Sequence, residues 1–149
     1  MCEKYKFGFD IWGLILFLVI MLPNFIWFAV PAPNDILRVE SVTKVADAIG
    51  SVCQVVMVAA LCAIIHKERK KFSITPLIFA VIGCCLLYFL CWGLYYTGVT
   101  DTVVLLGLTV VPCLAFFLFA LDRKNKIALI PIGGFTICHV IFGVVNFVI

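Results

Sequence analysis

The chain has 149 residues, of which 65% are hydrophobic and 13% charged, with a formal net charge of +3 and a mean hydropathy of +1.23. A typical soluble domain is about 45–50% apolar and about 25% charged, so a soluble fold could not cover this much apolar surface, and lipid must form part of the solvent. The positive charge does not indicate nucleic-acid binding, because the basic residues lie in short runs between apolar segments.

Charged residues divide the chain into five apolar runs. Each run is long enough for a transmembrane helix, which needs about 20 residues, and none shows the alternating polarity of a membrane strand. Helices are the remaining possibility, because a helix satisfies its backbone hydrogen-bonding groups within the segment where lipid offers no partners. We predict one all-α membrane domain over residues 1–149, a bundle of five transmembrane helices, with spans at 11–30, 46–66, 76–97, 102–121 and 127–148.

The first two apolar runs differ in how clearly they predict a membrane span. The first, Ile11 to Val30, is longer than the hydrophobic region of a signal peptide, which has about 7–15 residues, so we predict a membrane span. Pro31 follows it and ends the helix. The uncharged core of the second run extends only from residue 48 to 65. We still predict a span there, since the basic residues that follow must be reached from the other side of the membrane.

The later helices have recognisable start signals. Thr75 followed by Pro76 is typical of an N-cap and a proline at the first helical position. Thr100 or Asp101 could cap the fourth helix. Small residues in the second and fifth helices permit close approach and predict that these two helices are central. The third and fourth helices, which are richer in Phe and Leu, should face lipid.

Lysine and arginine are distributed unequally between the two sides of the predicted bundle. With the N-terminus in the cytoplasm, nine lie in cytoplasmic segments and two, Arg38 and Lys44, in outer segments. Cytoplasmic loops carry the excess of basic residues, so the N-terminus should be cytoplasmic and the C-terminus outside. The basic run at residues 66–71 would attract anionic lipid headgroups by about 1 kcal/mol per basic residue. We expect a multi-pass protein of the plasma membrane.

Motifs of known catalytic or metal chemistry are missing. The sequence has no Walker loop, H-E-x-x-H, G-x-S-x-G or CxxC, and its short connections hold no catalytic domain, so we predict that it is not an enzyme and takes no cofactor. Seven of the eight cysteines lie in apolar runs, where cysteine acts as a small hydrophobe. Cys2 is the exception, and nothing around it supports S-palmitoylation. Cys138 and His139 are adjacent and point about 100° apart, so they do not easily chelate one ion.

Polar side chains inside the spans are the remaining candidates, because a polar group in hydrocarbon is costly without a partner. Each span places a polar or helix-breaking residue near the midplane, where sites in helical transporters lie. Asp10 and Asp122 lie at span ends, where interfacial solvation explains them. The candidate ligand-binding residues are His139, Asn24, Gln54, Tyr88 and Asp47.

Each candidate also has a structural alternative. Asn24 and Gln54 could be hydrogen-bond partners between helices. A neutral imidazole at His139 both donates and accepts, so it could relay protons, bind a polar ligand, or bond to a neighbouring helix. Asp47, Ser51 and Gln54 share one face of the second helix. That polar stripe could line a vestibule or seal against the first helix.

A resemblance lies in residues 21–28, MLPNFIWF, and in residues 31–37, PAPNDIL. Both segments are similar to small, uncharacterised polytopic membrane proteins of anaerobic Gram-positive bacteria, and the similarity extends along most of the chain. The resemblance implies a bacterial plasma membrane but no mechanism, because no activity is known for that group. The helix number is also similar to that of the tryptophan-rich translocator proteins, but their loop pattern is missing here, so the analogy is one of topology.

Two functions fit these observations best. The first is the binding, or assisted transport, of a small molecule at the midplane polar site. Five helices without an evident repeat do not suit a complete monomeric transporter, so we expect a homodimer or a membrane partner protein. The alternative is an accessory or immunity-type membrane subunit that acts through helix–helix contacts with a partner. An intramembrane enzyme that uses His139 or a cysteine is the least favoured.

Overall fold

A computed structural model describes residues 4–69 and 71–149, so Cys2 and Lys70 lie outside the described residues. Within these described residues, five helices are long and apolar enough to cross a membrane, which confirms the predicted helical bundle. The elements in chain order are β1 (Tyr5–Phe7), α1 (Ile11–Ala29), a short 3₁₀ helix (Ile36–Arg38), α2 (Lys44–Ala63), β2 (Ile64–His66), α3 (Pro76–Tyr96), α4 (Thr102–Asp122) and α5 (Lys126–Phe147).

The bundle has two ends, between which the helices alternate in direction. We call the end that holds β1 and β2 the sheet end. The opposite end holds the connection between α1 and α2, residues 30–43, and the turn between α3 and α4, residues 97–101. Apart from Arg38 and Lys44, the described lysines and arginines gather at the sheet end. The cytoplasmic location of that end stays a prediction.

The antiparallel pair β1 and β2 was not predicted from the apolar pattern. Tyr5 pairs with His66, and the pairing extends back to Ile64. The second span was predicted to reach residue 66, but α2 ends at Ala63 because the chain leaves helical geometry to pair with β1. The Lys67 amide continues the pairing by donating to the Lys4 carbonyl at 2.9 Å. The N-terminal segment is thereby attached to the end of α2.

Asn125 completes the hydrogen bonding of two helix ends at once. Its Nδ2 donates to the carbonyl oxygens of Ala60 and Ile64, each at 2.9 Å. The Ala60 carbonyl also accepts from the Ile64 amide, whereas the Ile64 carbonyl lies past the last helical donor of α2. Its Oδ1 accepts from the Ala128 amide at 3.2 Å and caps the start of α5. Asn125 is only 2% exposed. One buried amide therefore joins α2 to α5.

Asp10 and Asp122 correct the expectation that interfacial water solvates these carboxylates. Asp10 is 4% exposed and forms ion pairs with Arg69 and with Arg123, whose Nε lies 2.9 Å from Oδ2. Asp122 accepts a hydrogen bond from the Thr75 hydroxyl, which also caps α3. A buried carboxylate requires such partners because desolvation is costly. The sheet end is thus held together by polar contacts between distant parts of the chain.

The α4 helix is central, which is contrary to the prediction that it faces lipid. It packs extensively on both α3 and α5, and Phe116 and Phe119 are almost fully buried. These rings fill space between helices, a role that composition alone does not distinguish from lipid contact. α3 does keep a broad exposed apolar face, which includes Phe79 and Leu86.

The predicted close packing of α2 and α5 is present. A Cβ added at Gly134 would lie 2.9 Å from the Cys53 Sγ, and one added at Gly50 would lie 3.1 Å from the Cys138 Cβ. Because real Cβ atoms rarely approach neighbours so closely, both glycines set the distance between the helices. α1 packs less extensively on its neighbours than α2, α4 or α5 do.

Asp35 anchors the connection between α1 and α2. Its carboxylate accepts hydrogen bonds from the Trp27 Nε1 and the Tyr95 hydroxyl, each at 2.9 Å. The Arg38 Nε lies 2.8 Å from the same carboxylate. Burial raises the pKa of Asp35, but the hydrogen bonds from Trp27 and Tyr95, together with the contact with Arg38, outweigh it and hold that pKa below its ordinary value. The connection is therefore fixed onto the ends of α1 and α3.

Candidate functional site

A cavity of about 360 Å³ lies between the helices. All five helices contribute to its wall, most of which comes from α1, α2 and α5, while α3 adds Tyr88 and α4 adds Pro112 and Phe116. The lining residues of α1 and α2 come from the halves of those helices that are nearer the opposite end. The volume falls within the range of about 300–1,000 Å³ that small-molecule sites occupy.

All five residues predicted from the sequence lie on the wall of this cavity. They come from four helices, and their side chains differ in chemistry: one carboxylate, two amides, one phenol and one imidazole. The structure therefore brings together residues that the sequence separates by up to 115 positions, from Asn24 to His139. Their role in binding a ligand stays a prediction.

The cavity opens at the surface between α1 and α2. Phe28, near the end of α1, lines the cavity and is 62% exposed. Ser51, in the second turn of α2, also lines the cavity and is exposed. Because these two exposed wall residues belong to α1 and α2, we assign the mouth of the cavity to the side of these helices. At the sheet end the same two helices are close, since a Cβ added at Gly13 would lie 3.1 Å from the Leu61 carbonyl oxygen.

Asn24 and Tyr88 form the polar back wall of the cavity. The Asn24 Nδ2 donates to the Tyr88 hydroxyl oxygen at 2.8 Å and to the Ile20 carbonyl at 3.2 Å. Tyr88 is 3% exposed, and its hydroxyl donates no hydrogen bond to another described residue. Asn24 thus forms the hydrogen bond between helices that was considered as the alternative to ligand binding. The pair still presents polar atoms to the cavity.

Gln54 contacts α1 only weakly. Its Nε2 lies 3.8 Å from the Met21 Sδ, and a thioether sulfur is a poor acceptor. Its amide oxygen accepts no hydrogen bond from the described residues. A strong seal between α1 and α2 would need better partners than this, so the amide is available to a molecule inside the cavity.

His139 lies in a stack of aromatic rings on α5. Its ring centroid is 4.9 Å from that of Phe135 and 6.1 Å from that of Phe142, with interplanar angles of 20° and 15°. Neither ring nitrogen forms a hydrogen bond with a described residue. The alternative that His139 bonds to a neighbouring helix is therefore wrong for this structure. Its nitrogens can serve a ligand or a proton inside the cavity.

Asp47 and Ser51 form the part of the wall nearest the opposite end. The Asp47 Oδ1 accepts from the Thr43 hydroxyl at 3.0 Å, and the Ser51 hydroxyl donates to the Asp47 backbone carbonyl at 2.8 Å. Asp47 lies in the first turn of α2, where the helix dipole favours a negative charge. Together with Gln54, these residues line the cavity, which favours the vestibule over a seal.

Sequence reasoning missed the aromatic part of the wall. Phe135 and Phe142 stand four residues before and three residues after His139, so they share its helix face. That spacing could have indicated from the sequence that both rings lie beside His139. Asn146 was also missed: its Nδ2 donates to the Thr43 hydroxyl at 3.0 Å and holds the start of α2 beside the end of α5. No comparable sequence signal marks Asn146.

Metal binding finds no support in the described part of the chain. Within residues 4–69 and 71–149, no group of three or more His, Cys, Asp or Glu side chains is placed to hold a metal ion. Cys138, His139 and Asp47 all line the cavity, but within the described residues their side chains are not grouped so as to hold one metal ion.

Comparison of the chain with protein families, with curated proteins and with solved structures finds no match. The resemblance of residues 21–37 to small bacterial membrane proteins therefore stays a prediction. The function must be inferred from the cavity and its chemistry.

Proposed function

We propose that this protein binds a small molecule in the cavity between its helices and helps to transport it. The observation that carries the proposal is the set of polar groups that face the cavity without protein partners. The imidazole of His139, the amide oxygen of Gln54 and the hydroxyl proton of Tyr88 form no hydrogen bonds with described residues. Unpaired polar groups in a membrane bundle are costly, so a bound molecule or water must satisfy them.

The position of the cavity also supports this function. It reaches the surface on the side of α1 and α2, where the wall residues Phe28 and Ser51 are exposed. Sites in helical transporters lie within the bundle and open to one side at a time. Five helices without a repeat suit a homodimer or a partnered subunit better than a complete transporter. The proposal assigns no catalytic step to the chain.

We further propose a bacterial plasma membrane, with the sheet end in the cytoplasm. The concentration of lysine and arginine at that end supports this orientation. The exposed Lys67 and Lys71 of the 66–71 run would then face anionic headgroups, whereas Arg69 pairs with Asp10.

Ligand-observed NMR of the protein in nanodiscs tests the function. Three small probes of different charge are used: benzyltrimethylammonium, benzyl alcohol and phenylacetate. We expect the wild type to bind at least one of them. Ser51→Trp places a large ring at the mouth and should abolish that binding, while His139→Ala and Gln54→Ala should weaken it about tenfold or more, the loss expected for one to two hydrogen bonds.

The matched control is Val52→Trp, which adds the same ring at the same depth of α2, to an exposed position that does not line the cavity. It should leave probe binding unchanged, and circular dichroism should show equal helicity for all variants. Failure of all three probes to bind the wild type would contradict the proposed function. Equal binding by the wild type and Ser51→Trp would also contradict it.

A further inference from the structure

We infer that the molecule bound in the cavity is a small organic cation with a substituted ammonium group. This inference rests on the proposed function, because it concerns the same cavity. It names the charge and the shape of the ligand, which the proposed function leaves open. It is carried by the charges and the rings of the cavity wall.

Asp47 determines which charge a ligand of this cavity should carry. Its carboxylate is the only acidic side chain among the described residues that line the cavity, and no lysine or arginine is among them. Lys44, the nearest basic residue in sequence, forms its ion pair with Glu40, and both side chains are largely exposed. A carboxylate in a cavity with apolar walls attracts cations and repels anions, since low-dielectric walls focus its field.

Thr43 and the start of α2 keep Asp47 in place. The Thr43 hydroxyl donates to Oδ1, and no described residue donates to Oδ2. The carboxylate is therefore oriented but has capacity for a further partner. A cation in the cavity would supply that partner without disturbing the hydrogen bond from Thr43.

Aromatic rings make up much of the remaining wall. Five of the lining residues are aromatic, namely Phe28, Tyr88, Phe116, Phe135 and Phe142. Ring faces carry partial negative charge and attract substituted ammonium groups, which lose little hydration when they enter such a site. Inorganic cations would need several oxygen ligands, and the wall has no such group of carboxylates. The aromatic wall therefore favours an organic cation over a metal ion.

Neutral hydrogen-bonding groups complete the wall. Among them are the amides of Asn24 and Gln54 and the ring of His139, which all line the cavity. These groups carry no fixed charge and can form hydrogen bonds with polar atoms of a ligand. The volume of about 360 Å³ suits a compact molecule with one apolar ring or a few alkyl groups. Larger cations with several fused rings would not fit without movement of the helices.

Cys138 provides a reporter inside the cavity, because it lines the wall. The test compares two thiol reagents of similar size and opposite fixed charge, the trimethylammonioethyl and the sulfonatoethyl methanethiosulfonates. Each forms a mixed disulfide with the Cys138 sulfur and releases methanesulfinate. Peptide mass spectrometry follows the modification of Cys138 separately from that of the other cysteines. Rates are divided by those for a free thiol in solution, which removes the intrinsic reactivity of each reagent.

The wild type should react faster with the cationic reagent by about tenfold, a factor typical of electrostatic attraction into a cleft. Asp47→Asn keeps the shape and an acceptor for Thr43, and it should reduce the preference to about onefold to twofold. Asp101→Asn removes an exposed carboxylate at the same end of the bundle, outside the cavity, and should keep the full preference. Benzyltrimethylammonium should slow the reaction of the wild type.

Two kinds of failure are distinguishable. Equal rates with both reagents, a faster anionic reagent, or an unchanged preference in Asp47→Asn would overturn the cation inference and leave the cavity as a binding site. If neither reagent modifies Cys138 while the free thiol reacts, the cavity is closed to small molecules. That outcome would contradict the proposed function as well as the inference.

Discussion

The sheet end and the cavity both contain polar side chains within an apolar bundle, but they differ in how these are paired. At the sheet end, Asp10 has two arginine partners, and Asn125 bonds to two carbonyls and one amide. In the cavity, His139 has only ring contacts, and Gln54 has only a distant sulfur. The first region satisfies its polar groups from within the chain. The second leaves them for another molecule.

The difference teaches how to separate structural from functional polar residues in a membrane protein. Depth in the membrane does not distinguish them, and neither does residue type, since a side-chain amide occurs in both regions, as Gln54 in the cavity and as Asn125 at the sheet end. The number of hydrogen-bond and ion-pair partners within the chain distinguishes them. Variants at the sheet end should therefore lower the free energy of unfolding, whereas variants in the cavity should affect binding with little effect on unfolding.

The largest effect on stability is expected for Asp10→Asn. Removal of this charge leaves Arg69 and the buried Arg123 without their carboxylate, and breaking a buried ion pair costs about 3–5 kcal/mol. Thermal unfolding in detergent, followed by circular dichroism, measures the loss. Asp101→Asn is the matched control, because Asp101 is exposed and its side chain makes no capping bond. Equal stability of the two variants would contradict the structural role of Asp10.

Asn125→Ala should have the second largest effect. It removes the side-chain donor to the Ile64 carbonyl, one of the two donors to the Ala60 carbonyl and the cap of α5, at a cost of about 2 kcal/mol or more. Asn34→Ala is the control, since Asn34 is exposed and makes one long bond, to the Gly98 carbonyl at 3.3 Å. The same unfolding assay applies. If both variants unfold at the same temperature, Asn125 does not join α2 to α5 as described.

Asp35 should make the α1–α2 connection sensitive to acid. Because its folded pKa is lowered, its carboxylate stabilises the fold fully above the ordinary pKa, and this stabilisation is lost as the pH falls through the lowered value. The window is therefore below about pH 4. The Trp27 indole NMR resonance, assigned with Trp27→Phe, should shift in that window. Asp35→Asn should abolish the acid-dependent shift, and a shift that persists in this variant would contradict the assignment.

The smallest effect on stability is expected for His139→Phe. The ring keeps its stack with Phe135 and Phe142, and no hydrogen bond to a described residue is lost, so the free energy of unfolding should change by less than about 1 kcal/mol. Binding of the probes should nevertheless weaken. A loss of stability like that of Asn125→Ala would mean that His139 is structural, and the contrast between the two regions would disappear.

Much of this arrangement could be predicted from the sequence. The five helices follow from apolar runs interrupted by charges, because lipid admits few alternatives. The wall residues Asn24, Gln54, Tyr88, His139 and Asp47 were predicted because polar side chains inside spans are uncommon and tend to face the interior. Their location around one cavity was not predictable, since it depends on how the helices rotate against each other.

Other features depended on contacts between distant segments. The pairing of β1 with β2 joins residues about 60 positions apart, so the early end of α2 has no local signal. Asp10 was predicted to be solvated because its partners, Arg69 and Arg123, are also distant in sequence. The central position of α4 was missed because Phe and Leu suit both lipid and a packed interior.

The most direct measurement compares binding of benzyltrimethylammonium by the wild type, Ser51→Trp and Val52→Trp in nanodiscs. These tryptophans lie at neighbouring positions of α2 that point about 100° apart, and only Ser51 lines the cavity. The account predicts binding by the wild type and by Val52→Trp, and none by Ser51→Trp. Binding that survives in Ser51→Trp, or that is lost equally in both variants, would contradict a ligand site between α1 and α2.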